Sequence, residues 1–383
     1  MANTVIEAVD LYRFLTKKGR KEIMKKVIIC MLSLLLVFGL FACGSADNKG
    51  NETANKLNVV LVVPNSLGDK AFSDMIWNGI SIANKQYGLG KTKCIELQGD
   101  TSAPLPTLTE LCESKEWDII VTGTFSLKES IQTVANKFPD QKFIIYDMNL
   151  DFSNGQFPNC ASFAAMQNEG SFLAGALAAY MSKTGVVGFI GGKETTSVSD
   201  FLVGYIEGAK YVNPDIKVRS SFIGSFTDTA TAKELALAQN AQSADVIFAV
   251  CSGAGLGVYE AASEKGFWAI GVDSDQSLIL ADTKPEVAKA ILTSVVKHFD
   301  TILSNALGEV IGGTFEWGKH TSVNLAADGI GLANNDYYTA AVSSDIRTKV
   351  DDIGKKIISG EIKVSSAIGM DADTYKALKA SAE

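Results

Sequence analysis

Asp273 closes the run "WAIGVD" and lies 20 residues after Gly253. A carboxylate at that place can accept two hydrogen bonds at once, which suits the paired hydroxyls of a ribose. Asp147 closes a similar run, "KFIIYD". Further polar or aromatic residues stand just after other apolar runs: Asn65, Thr124-Phe125, Lys193, Ser225-Phe226 and Ser252-Gly253. Ligands of open parallel sheets sit beyond the carboxyl ends of the strands. These residues would therefore line a cleft rich in carboxylate, amide and aromatic groups and poor in cations.

Motifs for harder chemistry fail on spacing. "GFIGGKETTS" lacks the first glycine of a phosphate-binding loop, and Glu194 follows Lys193 where Ser or Thr belongs. "SGAGLGV" has Val258 in place of the last glycine of a dinucleotide fingerprint. Gly253 in that stretch serves either a tight turn or direct ligand contact. "DSDQSLILADTK" has Leu278 where a calcium loop needs glycine. Two histidines, His298 and His320, are a poor inventory for imidazole catalysis or metal ligation. None of Cys94, Cys112, Cys160 and Cys251 forms a C-x-x-C pair, so zinc and redox readings lack support. No cofactor is expected.

The elements that must hold the strand-end residues alternate. Short apolar runs such as "LNVVLVV" (57–63), "DIIVTG" (118–123), "DVIFAV" (245–250) and "AILTSVV" (290–296) are separated by stretches of helical period. Near-continuous apolar strands are buried on both faces, which implies α/β architecture with parallel sheets covered by helices. About ten such units exceed one doubly wound sheet. Two sheets are expected, with a boundary near 158–166. Gly88 and Gly266 fit as helix C-caps, and Asn213-Pro214 as a helix stop.

Sixteen apolar or small residues, Val27 to Ala42, follow Lys25-Lys26 and end at Cys43. The run is too short to span a bilayer, which takes about 20 apolar residues. A positive end, a short apolar middle and small residues before the break make an export signal over 24–42. "LFAC" resembles the bacterial lipoprotein signal, in which the cysteine is lipidated. Acyl chains on Cys43 would anchor the protein to the outer side of the cell membrane without spanning it. Residues 1–23 do not fit a signal, and Met24 is the better start, so 1–23 is read as a non-native extension. The polar stretch 43–56 reads as a flexible tether. Of 35 basic and 43 acidic residues, seven and three precede Cys43, leaving 28 and 40 and a net charge of −12. Such a balance argues against nucleic acid as a partner.

Ordered stretches carry a family resemblance. "GDKAFSDMIWNGI", "CASFAAMQNEGSFLAGALAAYMSKTGVVGFIGG", "FLVGYIEGAK", "GSFTD", "GAGLGVYEAASEKGFWAIGVDSDQS" and "LTSVVKHFDTIL" together resemble the basic membrane protein family, the purine-nucleoside receptor lipoproteins. The resemblance implies a type 1 periplasmic-binding-protein fold with two lobes joined by three hinge crossovers. Its expected lobes are 57–160 with 277–322, and 161–276 with 323–383. It also implies capture of a purine nucleoside (adenosine, guanosine or inosine) for an ABC transporter permease, by a monomer that is not an enzyme. Carried over by motif, Phe72 and Phe226 stack on the base and Asp147 faces its edge. Asp273 and Lys297 hold the ribose. Asn65 stands where the family has an aspartate, and Ser73 where it has an asparagine; both departures bear on base preference, because an amide can donate where a carboxylate only accepts. A sensory or regulatory lipoprotein of the same fold for another small molecule, and a secreted nucleoside hydrolase, are the alternatives.

Overall fold

The computed structural model describes residues 56–383. The expected extension over 1–23, the expected export signal, Cys43 and the expected tether up to Asn55 lie outside the described residues. Two six-stranded sheets are built from an alternation of strand and helix.

The first sheet holds β1 (Val59–Val63), β2 (Thr92–Glu96), β3 (Ile119–Gly123), β4 (Lys142–Tyr146), β5 (Cys160–Ala165) and β11 (Lys319–Val323). Its order is β11-β5-β4-β3-β1-β2, and all its pairings are parallel. Central strands such as β1 (VVLVV) and β3 (IIVTG) are buried along their whole length, as strands covered by helices on both faces must be. The helices α1 (Phe72–Tyr87), α2 (Pro104–Ser114) and α3 (Lys128–Lys137) supply that cover. Gly88 ends α1 with a left-handed φ of 70°, its N–H bonded to Asn84 O.

The chain crosses after β5. Next come α4 (Gln167–Met181), β6 (Val186–Gly191), α5 (Thr196–Val212), β7 (Lys217–Phe222), α6 (Thr229–Ala241), β8 (Val246–Val250), α7 (Gly255–Lys265) and β9 (Trp268–Asp273). They are followed by α8 (Gln276–Ala281), α9 (Pro285–Ala288) and β10 (Ile291–Lys297). After β10 the chain returns through α10 (Phe299–Gly312), which packs on α1, to β11. It crosses a third time to β12 (Ile330–Leu332) and ends in α11 (Asp336–Ala341), α12 (Ser344–Ile358) and α13 (Ala372–Ala380). The second sheet runs β12-β10-β9-β8-β6-β7.

Three sequence expectations change. The stretch 277–297 is expected in the first lobe, but β10 pairs with β9 and β12 in the second sheet, so only the part from α10 to β11 returns. An apolar run reads alike in either sheet; pairing partners alone decide. Similarly β5 (Cys160–Ala165) stays with the first sheet. The second sheet is also not wholly parallel, because β12 runs antiparallel to β10.

Close helix packing carries part of the site. A Cβ at Gly204 would collide with the Asn168 carbonyl, and one at Gly208 with the Phe172 carbonyl. Glycine at both places lets α5 sit directly on α4, and α5 brings Val198 and Phe201 to the cleft.

Candidate ligand-binding site

The carboxyl ends of the two sheets face each other. Between them lies a cavity of about 220 Å³ lined by Asn65, Phe72 and Asp147 from the first lobe and Phe226 and Asp273 from the second, with Lys297 at the crossover. A wider vestibule of about 610 Å³ adjoins it, lined by Ser66, Asp69, Ser225 and Gly253 among others. Asn65, Lys193, Phe226 and Ser252 border both spaces.

Strand ends turn sharply here. Thr124, Asp147, Ser252 and Asp273 adopt left-handed φ values of 75°, 51°, 50° and 66°. Each such residue costs on the order of 1–3 kcal/mol, and such strain clusters at ligand sites. The turns aim the two aspartates at one another's neighbourhood, where a single cation meets both.

That cation is Lys297. Its Nζ lies 2.8 Å from Asp147 Oδ1 and 3.9 Å from Asp273 Oδ1, with side-chain exposures of 3%, 10% and 10%. Phe72, Phe201 and Phe299 surround the ammonium, their ring centroids 5.2, 5.1 and 5.8 Å away. Burial alone would lower the Lys297 ammonium, but Asp147, Asp273 and Asp200 outweigh it and hold the group above the usual lysine value. For Asp273, burial first of all, opposed by Lys297 and reinforced by Asp147 and Asp69, raises the carboxyl to about 7. One carboxyl of the pair is therefore poised to change charge near neutrality.

Phe72 opens α1 and is held edge-on by Tyr146, 5.7 Å between centroids at 61°, and by Phe299, 6.4 Å at 85°. Asp69 fixes the start of this helix, accepting from the N–H groups of Ala71, Ser73 and Asp74. On the opposite lobe the Phe226 ring lies over Gly192, where a Cβ would strike it.

The sequence-expected residues divide accordingly. Phe72, Phe226, Asn65, Asp147, Asp273 and Lys297 share the cavity. Gly253 reaches only the vestibule. Ser73 is 1% exposed and borders neither space; its N–H bonds Asp69, so it serves the helix start. Asp147, expected to face the base edge, accepts a hydrogen bond from Lys297, whose ammonium also lies near Asp273. Sequence reasoning missed Phe201, Val198 and Asp69. Phe201 and Val198 look like core residues of an apolar helix, and "GDKAF" alone does not reveal that its aspartate faces the other lobe.

Two α/β lobes with their strand ends meeting across a cleft define the type 1 periplasmic-binding fold. Solved structures agree on that fold. A solute-binding protein of an ABC transporter system from Aeropyrum pernix K1 superposes with a TM-score of 0.74 at 24% identity, over 85% of this chain and 98% of that one. A solute-binding protein from Burkholderia graminis in complex with D-arabinose gives 0.56 at 17%, over 75% and 98%. Residues 56–367 match the Bmp family, described as ABC transporter substrate-binding protein PnrA-like, and the chain belongs to that family. Among its relatives, Basic membrane protein A of Borreliella burgdorferi is 29% identical over 351 residues, covering 90% of this chain and 96% of the relative. The ABC transporter nucleoside-binding protein BmpA of Lactococcus lactis is 29% identical over 360 residues, covering 90% and 100%.

Proposed function

We propose that this chain is a membrane-tethered lipoprotein that captures purine nucleosides between its lobes and delivers them to an ABC importer. The observation that carries the reading is the Lys297–Asp147–Asp273 cluster, buried in a cavity to which opposite lobes contribute Phe72 and Phe226. A flat base needs π faces, and a sugar needs acceptors and a donor for its hydroxyls. This cavity offers both. The printed name of the Lactococcus lactis relative, a nucleoside-binding protein, supports the same ligand class. Cys43 would carry the lipid that holds the protein at the outer membrane face.

Among the described residues no cysteine offers an activated nucleophile. Burial raises the thiols of Cys94, Cys112 and Cys160 to about 12, 11 and 12, and that of Cys251 further, so none is a thiolate at neutral pH.

A thermal-shift screen of the full chain against nucleosides, free bases and sugars tests the reading. Ligand at 100 times its dissociation constant adds about 2.7 kcal/mol to stability. Adenosine, guanosine or inosine should raise the midpoint, and ribose or free base far less. A shift with sugars alone, or steady release of free base from inosine, would contradict it.

Phe72→Ala and Phe226→Ala should each weaken every purine nucleoside by about tenfold, because stacking does not choose among bases. Calorimetric titration with three purines checks this. A loss confined to one base would assign the ring to edge recognition instead.

A further inference from the structure

We propose that Gln276 is a latch that holds the lobes closed and sets the rate at which ligand leaves. The inference rests on the reading that the ligand binds between the lobes. The Gln276 side-chain amide donates to two carbonyls, Lys70 O at 3.0 Å and Val272 O at 3.2 Å. Lys70 belongs to the first lobe and stands two residues before Phe72. Val272 belongs to the second and immediately precedes Asp273. One NH₂ group thus ties the turn that carries a cavity ring to the turn that carries a cavity carboxylate.

The amide is pre-positioned. Gln276 is buried, and its own N–H donates to Ser294 Oγ at 3.1 Å. A Cβ at Gly271 would lie only 2.8 Å from Gln276 Cγ, so glycine there makes room for the side chain. The Val272 bond lies within the second lobe and survives opening. Only the Lys70 bond breaks and reforms, so closure costs little side-chain ordering.

A second contact sits beside the first. Ser252 Oγ donates to Asp69 Oδ2 at 3.2 Å across the same mouth. Lys70 and Ser252, one on each side, both adopt left-handed φ, 52° and 50°. Ser252 also borders the cavity, whereas Gln276 borders neither space. A change at Gln276 therefore reads closure without touching the ligand.

Removing the donor leaves the Lys70 carbonyl unpaired in the closed state, while in the open state water satisfies it. The penalty falls on the closed state and so on dissociation. Gln276→Leu keeps the volume and removes both bonds; Gln276→Glu keeps the shape and replaces the donor with an acceptor. In either variant of the full chain, guanosine should dissociate about tenfold faster by stopped-flow fluorescence. Association should stay within about twofold. Small-angle scattering of the unliganded variant should give a larger radius of gyration than the parent, with the far-ultraviolet circular dichroism unchanged. Having two variants guards against one that fails to fold. Unaltered dissociation, or unliganded scattering that superposes on the parent's, would overturn the latch. If the parent binds none of guanosine, adenosine and inosine, the nucleoside reading fails, and the scattering comparison alone decides the latch.

Discussion

Lys297→Met should destabilise the unliganded protein by about 3 kcal/mol or more at pH 8. The ammonium is the cation shared by Asp147 and Asp273, and all three side chains are nearly closed to solvent. Methionine fills a similar volume but leaves two carboxylates facing each other without a counter-charge. Breaking a buried pair from one side costs far more than the pair contributes, because the remaining charge keeps its desolvation penalty. The deficit should shrink as the pH is lowered toward 5, since a proton can then replace the missing ammonium. Denaturant unfolding of parent and variant at both pH values measures it. A constant deficit across that range would mean that the loss comes from packing against Phe72, Phe201 and Phe299, whose rings surround the ammonium.

Asp273→Asn should weaken purine nucleosides by about a hundredfold at pH 8, the loss expected from two charge-assisted hydrogen bonds. The effect should depend on pH in a defined sense. In the free protein burial holds the Asp273 carboxyl at about 7. Ribose hydroxyls donate to the ionised form, so binding must expel the proton below that pH. Parent affinity should therefore rise with pH, approaching tenfold per unit below about 7 and levelling above it. The asparagine variant should show no such slope. Stability runs the other way. A carboxyl raised from 3.8 to about 7 contributes stability that is present below pH 3.8 and lost as the pH rises through 7. The unliganded variant should thus match or exceed the parent's stability at pH 8. Calorimetric titration between pH 5.5 and 8 checks the slope. A parent curve flat with pH would remove Asp273 from the sugar.

What the sequence disclosed and what it hid follow from where each signal lives. Strands β1, β3 and β8 are legible because burial on both faces writes an unbroken apolar run. β11, KHTSV, is half exposed and polar, and β12 has three residues, so neither stands out. The strand β10 is legible as a strand but not as a member of the second sheet, since pairing is a long-range property. The site behaves likewise. Asp147 and Phe226 follow strands and Asp273 ends one, which marks them as cleft residues. The bond between Lys297 and Asp147 spans 150 positions of chain and has no local trace. Gln276 carries no signal of its own within "GVDSDQS", because nothing in that stretch tells which carbonyls its amide meets.

The most direct test is a crystal structure of the full chain with guanosine. The account predicts the purine between the rings of Phe72 and Phe226, with the ribose hydroxyls on Asp273 and Lys297. A nucleoside seated in the outer vestibule alone, or one whose base touches neither ring, would contradict it.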